Sequence, residues 1–269
     1  MWLLYLVLGA VVLYAGLVAA VALVQTKLLF PVQLTAGNRP SLPSSALRLE
    51  VKTVDGQRLA GIRLGPASGS GPLVLGFGGN AWNAEIMALY LHGVFPESPV
   101  VSFHYRGYPP SGGQPSAAAL LADSLAIFDH LQQEQRQPVV AVGFSIGSGV
   151  AAHLARRRPV EGLILVTPFD SLAALAGDHF PWAPVRLVLR HHMSPLEDLR
   201  QVSAPTALIA AGRDTIVPPQ RTEPLRHAAR NLVLDRTIRE AGHNDLYDRS
   251  DFVATMHEAL ARIRQKPTQ

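Results

Sequence analysis

Gly143-Phe144-Ser145-Ile146-Gly147 is a Gly-x-Ser-x-Gly pentapeptide, and the residues flanking it leave few folds open. Pro138-Val139-Val140-Ala141-Val142 precedes it, a β-branched run suited to a buried strand. Ser148-Gly149-Val150-Ala151-Ala152-His153-Leu154-Ala155 follows, a small-residue helix that runs into three arginines. Strand, glycine-flanked serine and helix together describe a nucleophile elbow, a turn so tight that only small neighbours fit and the hydroxyl projects from the sheet edge. The helix start behind Ser145 also aims backbone N–H groups at any oxyanion formed there. The competing reading is an incidental glycine-rich turn, and the strand–helix setting argues against it.

The rest of the chain supplies a sheet for such an elbow. Residues 48–54 and 58–64 alternate around Asp55-Gly56, which predicts a hairpin. Residues 66–72 read as a Gly/Ser loop. Short buried strands are expected at 73–77, 100–104, 162–167 and 206–210, with a looser last one at 232–238. Helices are expected at 85–93, at 116–133 with Ser116 as N-cap, and at 251–263. A hairpin followed by strands alternating with helices predicts an α/β fold, with an open, mostly parallel sheet covered on both faces. The longer connection at 171–202, with Pro181-Trp182-Ala183-Pro184, is expected to form a small cap over the strand ends.

A serine hydroxyl needs a base within hydrogen-bond reach, itself oriented by a carboxylate. In this architecture the acid and then the histidine follow the serine along the chain, on loops after later strands. Asp214 leaves the predicted strand at 206–210 through Gly212-Arg213, where an orienting acid belongs; a turn-forming Asp is the plain alternative. Among ten histidines, His243 in Glu240-Ala241-Gly242-His243-Asn244-Asp245 is the one on a post-strand loop after both Ser145 and Asp214. His227 and His257 fall in predicted helices. Two N–H donors are needed for a tetrahedral oxyanion; Ile146 is the expected first, and Asn80, in Gly78-Gly79-Asn80-Ala81-Trp82-Asn83, the expected second. A dinucleotide-binding reading of that loop fails because the third glycine is missing from its place. No His-Glu-x-x-His occurs, and the adjacent His191-His192 would diverge on helix or strand, so they are expected at the surface near the cap. No cofactor or metal is called for.

Residues 2–24 carry no charge, a stretch of about 34 Å as a helix, long enough to cross a hydrocarbon core. Trp2 and Tyr5 sit at one end, and Gln25-Thr26-Lys27 marks the other. Ala20-Val21-Ala22 resembles a processing site, but the run exceeds a signal-peptide core and lacks a basic n-region, which favours a retained anchor. Lys27, Arg39 and Arg48 follow the span and point the domain to the cytoplasmic side, although a folded domain can be exported regardless, so the membrane face stays open. The expected organisation is an anchor at 1–27, a Pro-rich connector at 28–47 and a catalytic domain at 48–269. The chain has no cysteine, which removes disulfides and thiol nucleophiles. Its net charge is +4, and Arg156-Arg157-Arg158 reads as a solvated helix end, with attraction to an anionic membrane surface as the sharper alternative. No basic stripe interleaved with aromatics appears, so nucleic acid is not an expected partner. Oligomeric state carries no sequence signal here.

Taken together, Phe77-Gly78-Gly79-Asn80-Ala81, Tyr105-Arg106-Gly107-Tyr108, Ser111-Gly112-Gly113-Gln114-Pro115-Ser116, the elbow at Ser145, Thr167-Pro168-Phe169-Asp170-Ser171-Leu172, Gly212-Arg213-Asp214 and Gly242-His243-Asn244-Asp245 resemble the α/β-hydrolase superfamily. More narrowly, the chain is similar to N-terminally anchored α/β-hydrolase-domain proteins of the bud-emergence type. The resemblance implies Ser145 as nucleophile, Asp214 as acid, His243 as base and an oxyanion loop at Gly79-Asn80. Gly78 stands where that family's pattern has histidine. The expected activity is hydrolysis of a carboxylic ester or thioester, with lipid-like or acylated substrates favoured by the anchor. A non-catalytic scaffold of the same fold and an acyltransferase using the same triad are the alternatives.

Overall fold

The computed structural model describes residues 1–35, 37, 40–66 and 71–265. Part of the expected loop at 66–72, and Arg39 of the charge count after the span, lie outside the described residues.

Eight strands form one sheet: β1 (Leu47–Lys52), β2 (Arg58–Leu64), β3 (Leu73–Phe77), β4 (Val100–Phe103), β5 (Val139–Phe144), β6 (Gly162–Val166), β7 (Thr206–Ala211) and β8 (Leu232–Ile238). Their spatial order is β1-β2-β4-β3-β5-β6-β7-β8. β2 runs antiparallel to both β1 and β4, and every pairing from β4 to β8 is parallel. The expected hairpin closes at Asp55-Gly56, with Lys52 opposite Arg58.

Side chains on β5 alternate between two apolar layers, as a strand buried on both faces must. Val139 and Ala141 join one layer, while Val140, Val142 and Phe144 join the other. The first layer is filled by helices α3 (Ala117–Glu134) and α4 (Ile146–Arg157) through Leu120, Ile127, Val150 and Leu154. The second is filled by α2 (Ala84–Val94) and α9 (Ser250–Arg264) through Met87, Leu91, Phe252 and Met256. On α9 the buried set Phe252, Met256, Ala259 and Ile263 follows helical spacing, with charged residues on the opposite face. Caps fix the helix starts. Ser116 Oγ accepts from the Ala119 N–H at 3.1 Å, and Asn83 Oδ1 accepts from Glu85 and Ile86 at 2.8 and 3.3 Å.

The connection after β6 carries three short helices, α5 (Leu172–His179), α6 (Val185–Val188) and α7 (Pro195–Leu199); α8 (Glu223–Ala228) lies between β7 and β8. α5 and α6 form the small cap expected for this segment. Ahead of the sheet stands α1 (Trp2–Leu29), 28 residues and therefore about 42 Å long. Among the described residues it is the one helix long and apolar enough to cross a membrane. It continues through Leu29, and Phe30 beyond it is buried in the core of the sheet domain.

His191 departs from the surface position expected for it. Its ring is buried, its Nε2 shares a 2.8 Å hydrogen bond with Thr26 Oγ1 of α1, and Phe30 packs against it edge-on. Only His192 is exposed. The two rings do diverge, but α1 covers one of them, and the docking of α1 on the cap is a long-range contact that local sequence does not announce. Of the arginines ending α4, Arg156 pairs with Asp198 at 3.0 Å and Arg158 with Asp129 at 2.6 Å, while Arg157 is exposed.

Candidate active site

The turn between β5 and α4 holds Ser145 at φ 52°, ψ −119°, a left-handed conformation that a residue with a Cβ adopts at a cost of about 1–3 kcal/mol. The pentapeptide glycines make the turn possible. A Cβ on Gly143 would lie 2.3 Å from the Gly147 carbonyl oxygen, and one on Gly147 would lie 2.1 Å from that of Phe77. β5, α4 and the end of β3 therefore meet at backbone contact. Ser148, the other serine here, turns away: its hydroxyl donates to the Ser145 carbonyl at 2.6 Å.

Asp214 follows β7 and is buried, its carboxylate 1% exposed. Its Oδ1 accepts from the Ile216 and Val217 N–H groups at 2.9 and 2.7 Å. Its Oδ2 meets His243 Nδ1 at 2.7 Å. An ionised carboxylate only accepts, so His243 donates through Nδ1–H and its Nε2 keeps the lone pair. The two loops are laced together: Gly212 N–H donates to Ile238 at 2.9 Å and Arg213 N–H to Ala241 at 2.8 Å. A Cβ on Gly212 would collide with the Arg239 carbonyl at 2.4 Å, so the acid loop approaches the histidine loop as closely as backbones allow.

Ser145, Ile146, Asn80 and His243 all line one cavity of about 480 Å³ beneath the cap, within the range of small-molecule sites. Asp214 stands behind His243. The structure thus brings together the five residues singled out by sequence. Ile146 opens α4, where an N–H has no intrahelical partner. Among the described residues, neither it nor the Asn80 N–H pairs with a backbone carbonyl.

Sequence reasoning missed how the Asn80 loop is held. Tyr105 donates to the Gly78 carbonyl at 2.7 Å and Tyr108 to the Asn80 carbonyl at 2.6 Å. Burial pushes both phenols above their ordinary range, so they remain donors. Arg106 between them is bound on two sides, Nε to Asp123 of α3 at 3.0 Å and Nη2 to Asp55 of the hairpin at 3.1 Å. Arg106 holds the Asp55 carboxyl down at about 2, whereas burial raises that of Asp123 despite the same partner. Gly78, the departure from the family pattern, has a local reason: a Cβ there would press on Met87 and Trp82, each at 3.2 Å. Trp82 belongs to an aromatic floor with Tyr90, Phe144 and Tyr247, ring centroids 4.8–5.7 Å from its own. Trp82 and Tyr247 reach the cavity wall. The clue was present in Tyr105-Arg106-Gly107-Tyr108, which the resemblance quoted without a role.

The cap closes the cavity's far side. His179 of α5 shares a 2.8 Å hydrogen bond with the Ile216 carbonyl, and Arg221 ion-pairs with Asp170 at 3.0 Å and Asp178 at 2.9 Å. Leu29 of α1 completes the lining. No group of three or more metal-ligating side chains converges among the described residues.

No family model matches the chain. An uncharacterized protein of Mycobacterium tuberculosis is 38% identical over 221 residues, 78% of each chain. Lysophosphatidylserine lipase ABHD12 of Danio rerio is 30% identical over 140 residues, 45% of this chain and 37% of the lipase. Among solved structures, an alpha-beta hydrolase from Vibrio vulnificus superposes with a TM-score of 0.70 at 19% identity, over 87% of this chain and 92% of that one. A bacterial membrane phospholipase A gives 0.65 at 16% identity, over 98% of both chains. The strand order, the strained serine between β5 and α4 and these relatives carry one conclusion: the chain belongs to the α/β-hydrolase superfamily.

Proposed function

We propose that this chain is a membrane-anchored serine hydrolase that cleaves a carboxylic ester or thioester of a lipid-like or acylated substrate. Ser145 is the nucleophile, His243 the general base and Asp214 the group that orients it. The observation that carries the reading is the 2.7 Å Nδ1–Oδ2 contact of His243 with a fully bonded, buried Asp214, in a cavity that Ser145 also lines.

Ser145 Oγ attacks the acyl carbon as its proton passes to His243 Nε2, and the negative charge moves to the former carbonyl oxygen. The Ile146 and Asn80 N–H groups hold that oxyanion. The imidazolium returns its proton to the departing alcohol or thiol as the old bond breaks, leaving an acyl-enzyme. Water then attacks along the same route and frees the acid. The apolar α1, the lipase ABHD12 among the relatives and the membrane phospholipase A among the fold neighbours favour a lipid-like acyl group.

A fluorophosphonate probe tests the reading on the full chain. Covalent labelling is expected on Ser145, abolished in Ser145→Ala and retained in Ser148→Ala. Absence of labelling in the folded protein would leave a scaffold in place of an enzyme. Product analysis with competing alcohols separates hydrolysis from acyl transfer.

A further inference from the structure

α1 does more than lead into the domain. Its last two turns dock on the cap through a set of polar contacts. Gln25 Nε2 donates to the Val188 carbonyl at 3.1 Å, and its Oε1 accepts from the Arg190 N–H at 2.8 Å. Arg190 Nη2 donates to the Ala22 carbonyl at 2.9 Å, and Thr26 bonds to His191. Further along the helix, the Tyr14 hydroxyl donates to the Trp182 carbonyl at 2.9 Å.

Between these contacts lies a groove of about 320 Å³, walled by Val21, Ala22 and Leu28 of α1 and by Ala183, Val185 and Val188 of the cap. Its one polar side chain is Gln25, whose amide is already committed, so water entering it would find few partners. The groove and the Ser145 cavity share Leu29, Ala176 and Phe180 as common walls. Apolar surface therefore runs from the reacting serine to the helix proposed to cross the bilayer. The cap beside it presents Trp182, 40% exposed, and Leu187, 86% exposed, where a soluble surface would be polar.

We propose that the groove between α1 and the cap holds the long acyl chain of the ester substrate, with the ester at Ser145 and the chain leading back toward the bilayer. This rests on the hydrolase reading and adds to it that α1 is a wall of the substrate site. A lipid then reaches the serine sideways from the membrane, its chain never leaving apolar surroundings. An acyl chain fits better than water or a polar headgroup because the lining offers burial and no free hydrogen-bonding group. The groove's continuity with the cavity selects a chain attached to the reacting carbonyl over an unrelated hydrophobe.

The test uses the full chain in phosphatidylcholine nanodiscs. Val21→Trp and Ala183→Trp fill the groove from its two sides without touching the Ser145 cavity. Leu17→Trp places the same ring on the exposed face of α1 as a control. Both groove variants are expected to lower kcat/KM for p-nitrophenyl palmitate at least about tenfold while leaving p-nitrophenyl acetate unchanged, and the control should alter neither. Equal loss on both esters, or loss on neither, overturns the groove and leaves the hydrolase intact. A palmitate carrying a terminal diazirine reads the groove without catalysis. Cross-links on residues 183–188 that vanish in Val21→Trp support it; cross-links confined to α1, where bulk lipid also reaches, overturn it. Cross-links on the cap in a protein that takes no fluorophosphonate would keep the groove and remove the enzyme.

Discussion

The two sides of the Ser145 cavity are held by different forces. On the sheet side, Asp214, His243 and the Asn80 loop are fixed by short hydrogen bonds between buried groups, and backbone collisions at Gly143, Gly147 and Gly212 forbid looser packing. On the α1 side, a few bonds through Gln25, Thr26 and Tyr14 fasten a helix whose remaining surface is apolar and exposed. The first side is held by contacts internal to the sheet domain. The second depends on what surrounds it, because the exposed leucines and valines of α1 are stable only in an apolar medium. Catalysis asks for sub-ångström placement, whereas admitting a long chain asks only for a continuous apolar path. The difference in construction follows that division.

Asp214→Asn attacks the rigid side and has the largest expected effect. The amide would offer an N–H where His243 now finds an acceptor, favouring the wrong tautomer and losing about ten-thousandfold in kcat, with the fold intact by circular dichroism. A small loss would mean that the His243–Asp214 contact is structural and that the sheet side is not the chemical one.

Gln25→Leu attacks the other side. It leaves the Arg190 N–H and the Val188 carbonyl without their partner in a groove too apolar for water, a penalty of about 2 kcal/mol against docking of α1. Paired spin labels on α1 and α6 should show a broadened distance distribution, while fluorophosphonate labelling of Ser145 proceeds unchanged. Equal losses of labelling and docking would erase the contrast between the two sides. Tyr108→Phe is smaller and returns to the sheet side. It removes one hydrogen bond, about 1 kcal/mol, from behind the Asn80 carbonyl, and kcat should fall about fivefold with KM for a short ester unaltered. A change in KM alone would place Tyr108 in substrate binding and not in support of the oxyanion loop.

The same division separates what the sequence disclosed from what it hid. Ser145, Asp214 and His243 were legible because each sits at a strand end with a local signature, and the chain order of the three is part of the pattern. Strand and helix positions were legible because burial on both faces forces unbroken apolar strands, and because Ser116 caps its helix as its side chain allows. The bonds of Tyr105 and Tyr108 to the Gly78–Asn80 loop span 27 and 28 residues and leave no periodic trace. The α1 contacts were further out of reach. Gln25 looked like the polar edge of a span, and its partners lie more than 160 residues away. His191 was misplaced for the same reason, since nothing near it in sequence shows that a helix from the other end of the chain lies over it.

His191 also supplies the smallest and most selective test. Burial lowers its proton affinity first, and the charges of Arg190 and His192 lower it further. Thr26 Oγ1 of α1, the Phe30 ring and, at 3.4 Å, the Ala117 N–H of α3 are its other neighbours, and none of them is anionic. In the docked state its pKa therefore lies below the value of about 6.5 that an undocked, solvated histidine has. Above that value both states are neutral and the docked state keeps its full stability. As pH falls through it, the undocked state takes up the proton first, so docking weakens until the pH passes below the docked pKa, where the loss levels off. The spin-label distance between α1 and α6 should therefore broaden on acidification in wild type, while His191→Gln, which keeps a hydrogen-bonding group but cannot titrate, should hold its distribution across the same interval. The sheet side responds in the same direction but over a lower pH interval. Asp55, held down at about 2 by Arg106, contributes stability that is complete above the ordinary carboxylate range and is lost progressively as pH falls from that range through about 2. Mild acid should accordingly loosen α1 from the cap well before it disturbs the elements that hold the Asn80 loop; simultaneous loss of both would show that the cavity's two sides unfold as one.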